Sequence, residues 1–195
     1  MLEAFKWNTR AAEGGDSEAQ LNLGLCYDSG IGVTVDLREA VKWYTRAAEA
    51  GIADAQCILA LCYVEGAGVT VDKREAFKWF TRAAEGGDVK AQYNLGVCYM
   101  AGNGVEVNKR KAFSWYMRAA DADDRTAQCE IGACYFNGNG VDVDKREAIK
   151  WWKRAAEAGD ADGQKALGYC YKTGDGIAVD IKESKKWYAL SILPR

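Results

Sequence analysis

Apolar residues recur at helical spacing in two stretches of every 36-residue segment, and the segments follow one another without a gap. From Ser17 to Asp28, Ala19, Leu23, Cys26 and Tyr27 fall on one face of a helix, here termed helix A. From about Leu37 to Glu49, helix B, the stripe is Ala40, Trp43, Tyr44, Ala47 and Ala48. The small residues Ala19 and Gly24 let a neighbouring helix approach closely. Between the two stretches, Gly30 and Gly32 suit a positive φ and end helix A. Val33 and Val35 are expected to point inward, and Asp36 to cap helix B. Glu39, three residues on, completes a capping-box pattern that recurs at Asp72/Glu75, Asp144/Glu147 and Asp180/Glu183. Asn108 with Lys111 breaks that pattern. A cap contributes about 0.5–2 kcal/mol, so this unit is expected to fray first. Gly15-Asp16, Gly87-Asp88 and Gly159-Asp160 end helix B and cap the next helix A.

The period is strict. Tryptophan returns at Trp7, Trp43, Trp79, Trp115, Trp151 and Trp187, and a Cys-Tyr pair at Cys26, Cys62, Cys98, Cys134 and Cys170. A fixed period between about 20 and 50 residues marks a stacked repeat protein. The chain therefore reads as one all-α domain, 1–195, with a half repeat at 1–16 and full units at 17–52, 53–88, 89–124, 125–160 and 161–195. Such an array offers a long wall rather than a single pocket.

Composition narrows the function. The 26 basic and 28 acidic residues are well mixed and leave a net charge of −2, so no basic block points to nucleic acid or an anionic membrane. Histidine is absent, which removes the commonest general base and the commonest zinc nitrogen ligand. The first residues, Met1 to Trp7, already carry a helical pattern rather than a signal core. The longest apolar run, Cys57 to Val64, is too short to span a bilayer. The only proline is Pro194, so nothing interrupts the helices.

One unit reads A-x-x-x-L-G-x-x-Y-x-x-G-x-G-V and then D-x-x-x-A-x-x-W-Y-x-x-A-A-E-x-G. Ala91, Leu95, Gly96, Tyr99, Gly102, Gly104, Val105, Ala112, Trp115, Tyr116, Ala119 and Ala120 carry the pattern, with their equivalents elsewhere. It resembles the Sel-1-like repeat (SLR), a relative of the tetratricopeptide repeat. The period of 36 and the missing repeat-ending proline favour the former. The resemblance implies a right-handed superhelical α/α solenoid of antiparallel helix pairs, with A helices lining its inner wall. It also implies a non-catalytic adaptor, bound to signalling, secretion, quality control, cell-wall synthesis or host contact. A secreted, cysteine-rich branch of the family staples each repeat through a C-x7-C disulfide, and no pair of this chain's seven cysteines has that spacing.

On the A-helix face opposite Leu23, the residue types vary between units. The column at Leu21 continues with Cys57, Tyr93, Cys129 and Lys165; that at Leu25 with Leu61, Val97, Ala133 and Tyr169; that at Asp28 with Val64, Met100, Phe136 and Lys172. The middle three units are apolar here, and a helix apolar on both faces is buried on both. Leu61, Val64, Tyr93, Val97, Met100, Cys129, Phe136 and Tyr169 are accordingly the candidate partner-binding residues, for a helix or extended peptide on the concave face. The competing reading is that these side chains shield one another within a tight superhelix. Glu18, Asp54, Lys90, Thr126 and Asp162 either set a partner's register or are solvated first-turn residues.

No catalytic, cofactor or metal site is assigned. The Cys26 column reads as small buried hydrophobes, and neighbouring repeats about 8–10 Å apart hold Cα atoms too far apart to bridge. Cys57/Cys62 and Cys129/Cys134 point to different faces. Reduced thiols suit the cytoplasm or another reducing compartment. The G-x-G loops, such as Gly138-Asn139-Gly140, follow a helix rather than a strand and lack a third glycine. Asp142 and Asp144 lack calcium-loop spacing. Arg38, Arg74, Arg110 and Arg146, with Lys42, Lys78 and Lys150, are balanced by Glu39, Glu49 and their equivalents on a solvated outer face. Gln20, Gln56, Gln92, Gln128 and Gln164 are expected to satisfy loop backbone groups. Lys185 and Asn8 place polarity where the end units lack a neighbour, as terminal caps do, which suits an array nearly complete as given. Against that, Met1 opens directly on a B helix with no helix A before it, which suits a piece of a longer or engineered chain. The rival functions are an accessory subunit of a larger assembly, a hydrolase or ligand-binding protein using Glu65 and Glu130, and a passive spacer.

Overall fold

The computed structural model describes residues 2–192, and among them every regular element is an α-helix. The helices are α1 (Leu2–Glu13), α2 (Ser17–Ser29), α3 (Leu37–Glu49), α4 (Ala53–Glu65), α5 (Lys73–Glu85), α6 (Val89–Ala101), α7 (Lys109–Asp121), α8 (Arg125–Asn137), α9 (Lys145–Glu157), α10 (Ala161–Thr173) and α11 (Ile181–Ser191). Even-numbered helices are the A helices and odd-numbered ones the B helices. The chain divides into two compact units: Met1–Cys98 with Gly102–Glu106, and Tyr99–Ala101 with Val107–Arg195. Within each, consecutive helices pack on one another.

The core of both units is an aromatic ring of a B helix laid on a small residue of the preceding A helix. In the first unit, Tyr44 and Phe80 are fully buried, beside Leu23 and Leu59. A β-carbon at Gly24 would stand 2.5 Å from the Tyr44 ring, so only glycine allows that approach. In the second unit, Trp152 takes the same place over Gly132, where a β-carbon would also fall 2.5 Å away. Ile131, Leu167, Cys134 and Cys170 fill the remainder. Four of the repeated tryptophans are covered by an arginine three residues on, among them Trp43 by Arg46 at 4.5 Å and Trp115 by Arg118 at 4.4 Å, whereas Trp187 is buried in the core beneath Lys186.

The helix ends follow the expected chemistry with two departures. Asp16, Asp88, Asp124 and Asp160 cap A helices, each accepting a backbone N–H three residues on. Ile52 stands in this position before α4 and supplies no side-chain cap. Asp36, Asp72, Asp144 and Asp180 cap B helices, each accepting two N–H groups, whereas Asn108 accepts one. The reciprocal half of the capping box is absent at Asp36, because its own N–H donates to the Tyr27 carbonyl at 2.9 Å. Glu39 is free to pair with Lys42 instead. The other departure is Val35. It is 60% exposed, as are its equivalents Val71, Val107, Val143 and Val179 to within a few per cent, so the expected inward alternation does not hold. A β-carbon at Gly30 would meet the Val35 methyl at 3.0 Å, which places the valine over the left-handed glycine that ends helix A. It shields that turn rather than the core.

The repeated glutamines satisfy backbone groups, but those of helix ends rather than of loops. Gln20, Gln56 and Gln92 donate to the carbonyls of Ala12, Ala48 and Ala84, the last turn of the preceding B helix. Gln128 and Gln164 do the same for Ala120 and Ala156.

Candidate functional site

In the first unit, the A helices α2 and α4 and the turn leading into α6 enclose an open groove of about 630 Å³. Leu21 and Leu25 line it from α2, and Cys57, Ile58 and Leu61 from α4. The turn contributes Gly86, Gly87 and Asp88, and the start of α6 Val89 and Lys90. The floor is buried at Leu21 and Cys57, and the wall opens at Leu25, which is 36% exposed. A second hollow of about 90 Å³ lies beside it, lined by Leu61, Val64, Val97, Phe80 and Cys98 with Lys73, Asn94 and Asn103. Val64 is 42% exposed at its mouth.

The thiols here are inert. Burial, then the Asp88 carboxylate, push Cys57 up to about 12. Its S–H donates to that carboxylate, which also accepts the Ala91 N–H at 2.5 Å. Asp88 is therefore fully engaged as a cap. Burial raises Cys62 and Cys98 to about 11. A thiol so far above neutrality stays protonated and is a poor nucleophile.

The second unit repeats the arrangement with different side chains. Cys129 donates to Asp160, the N-cap of α10, and burial followed by that carboxylate raises its pKa. Glu130 is half-buried, and its carboxyl is held above the ordinary range by desolvation, then by Asp160 and Asp162. Phe136 is half-buried against Trp152, with ring centroids 5.1 Å apart, and Lys145 lies 5.1 Å from its centroid. The Trp152 indole N–H donates to the Cys129 carbonyl at 3.1 Å. Tyr169 on α10 is 50% exposed.

The residues singled out from sequence thus fall in two places. Leu61, Val64 and Val97 lie together in the first unit, and Tyr93 on α6 is half-buried there. Met100, Cys129 and Phe136 are half-buried in the second unit, where Tyr169 is the most open. Glu65 belongs to the first unit and Glu130 to the second. Sequence reasoning missed Leu21, Leu25 and Ile58 as a set. The signal was available at Ile58, the one branched apolar residue in a column otherwise reading Asn22, Asn94, Glu130 and Ala166.

Among the described residues, no cluster of three or more acidic, cysteine or histidine side chains is placed to hold a metal ion, and no helix is long and apolar enough to cross a membrane. The seven cysteines are unpaired.

The family profile described as Sel1 repeat matches residues 1–16, 17–52, 53–88, 89–124, 126–160 and 161–192. The chain belongs to the Sel1 repeat family. Proteins of this family are in general protein–protein interaction scaffolds, typically without catalysis. The chain is similar to a Sel1 repeat protein from Oxalobacter formigenes: 36% identity over 99% of this chain and 77% of that one, TM-score 0.87. It is also similar to a protective antigen of uropathogenic Escherichia coli strains that displays an SLR fold, at 38% identity and a TM-score of 0.91. That match covers 95% of this chain but only 40% of the antigen. Helicobacter pylori cysteine rich protein B shares 25% identity over 69% of this chain and 96% of its own length, TM-score 0.53. No curated protein matches the chain.

Proposed function

We propose that this Sel1 repeat protein is a non-catalytic adaptor that holds a helix or extended segment of a partner protein against its A helices. The observation that carries the proposal is the groove of about 630 Å³, floored by Leu21, Ile58 and Leu61 and walled by Leu25. Leu25, Ile58 and Leu61 are left partly exposed there, apart from the A–B packing made by Leu23, Leu59, Tyr44 and Phe80. Exposed apolar area that the fold does not require marks an interaction surface. Leu61, Val64, Tyr93 and Val97 extend it in the first unit, and Met100, Cys129, Phe136 and Tyr169 are the corresponding residues of the second. The unpaired cysteines are compatible with a reducing compartment.

Binding energy in such surfaces concentrates in a few buried anchors, so two substitutions at the mouth suffice as a test. Affinity capture with the intact chain is compared with Leu25→Asp/Val64→Asp, both at exposed positions. The partner is expected to disappear from the variant's eluate while far-UV circular dichroism stays unchanged. Equal recovery would remove the proposal.

A further inference from the structure

The charge of the first unit is distributed in a way its packing does not require. Its A-helix residues, α2, α4 and residues 89–98 of α6, carry Glu18, Asp28, Asp54 and Glu65 against one base, Lys90. The bases of the unit otherwise sit on α1, α3 and α5, where Lys6, Lys42 and Lys78 pair with Glu3, Glu39 and Glu75. Among the described residues, Glu18, Asp54, Glu65 and Lys90 form no ion pair. Asp54 lines the groove directly, one turn before Ile58, and Glu18 holds the equivalent first-turn position on α2. The other groove carboxylate, Asp88, is taken up by the Ala91 N–H and the Cys57 thiol. An apolar floor is therefore edged by Asp54, whose carboxylate forms no ion pair among the described residues, with Glu18 at the equivalent position of α2 and Lys90 as the one base lining the groove.

We infer that the groove selects a cationic amphipathic segment, with aliphatic side chains seated on Leu21, Ile58 and Leu61 and a Lys or Arg facing Asp54 and Glu18. The inference rests on the adaptor function proposed above and adds the chemistry of the partner. The acidic edge repels nucleic acid and anionic lipid headgroups. A compact polar ligand finds few orienting groups on the floor, since Asp88 is engaged by its cap. A polypeptide needs no such groups: its aliphatic side chains fill the floor and its base answers the edge. Lys90 also lines the groove and opposes the selection, so removing it strengthens the preference.

The test is panning of a random dodecapeptide library displayed on phage against the full chain at low salt, followed by titration of an enriched synthetic peptide. Enriched sequences are expected to combine Leu, Ile or Met with net positive charge. Reversing the edge with Glu18→Lys/Asp54→Lys, both solvent-facing, should weaken the peptide about tenfold or more at low ionic strength, with the difference shrinking as salt rises. Lys90→Glu should tighten it. Enriched peptides that are neutral or acidic, or whose affinity ignores the edge reversal, overturn this inference and leave groove docking intact. Enrichment of nothing, or of peptides whose affinity is unaffected by Ile58→Asp and by the more exposed Leu25→Asp, overturns both. Circular dichroism of each variant separates lost binding from lost fold.

Discussion

Glu130 shows how a single side chain records its surroundings. Half-buried on α8 and flanked by Asp160 and Asp162, it holds its proton more tightly in the folded chain than in the unfolded one. A carboxyl raised in this way lowers stability as pH rises from its unfolded value, 4.5, through its folded one. Above the folded-state value the penalty is fully present; well below 4.5 both states are protonated and it is gone. Glu130→Gln is therefore expected to raise the melting temperature at pH 7 and to lose that gain as pH falls below about 4, followed by thermal circular dichroism. This environment was not legible in the sequence, because Asp160 and Asp162 are about 30 residues away and meet Glu130 only after α8 and α10 stack. Leu23, Tyr44 and the Asp36 cap were legible, since periodicity and local chemistry settle them. Val35 departs from the expectation because alternation in a loop does not imply burial: the side chain's neighbour is a backbone turn.

Between elements, one repeat is fastened to the next at a spacing of 30 residues. Lys73 donates to Asn103 and Lys109 to Asn139, each at 3.0 Å, and Lys145 pairs with Asp175 at 2.7 Å. At the corresponding positions one repeat earlier the chain has Leu37 and Ala67, apolar on both sides. The matched chemistry shows that the loop after each A helix is registered on the first turn of the preceding B helix. These exposed contacts are each worth under about 1 kcal/mol; the tighter constraint is the loop backbone itself. Gly140 has φ +81°, and a β-carbon there would lie 2.1 Å from the Lys109 carbonyl oxygen. Gly140→Ala is expected to cost at least about 1–3 kcal/mol of unfolding free energy in urea titration, since both the left-handed backbone and the close approach resist it. The same change at Gly15, where nothing lies within 4 Å, tests the backbone part alone. The repeat period and the G-x-G loops made these glycines visible in the sequence; what the second glycine rests on was not, because the contact belongs to the preceding repeat.

For the whole molecule, consecutive-helix packing within each unit leaves the A-helix faces free to differ while the A–B interfaces stay alike. The first unit uses that freedom for an apolar groove with an acidic edge; the second fills the same columns with Phe136 and Cys129 packed on α9, and leaves Tyr169 outward. Family and helix content followed from the strict period. The unequal division of labour did not, because an apolar column on a helix wheel cannot say whether Trp152 of the next helix already covers it. The most direct check is methyl-detected NMR of the full chain, with Leu and Ile methyls labelled, titrated with an enriched cationic peptide. Saturable shifts are predicted at Leu21, Leu25, Ile58 and Leu61, with Leu23 and Leu59 little affected. Shifts confined to residues outside the groove, or none at saturating peptide, would contradict the account.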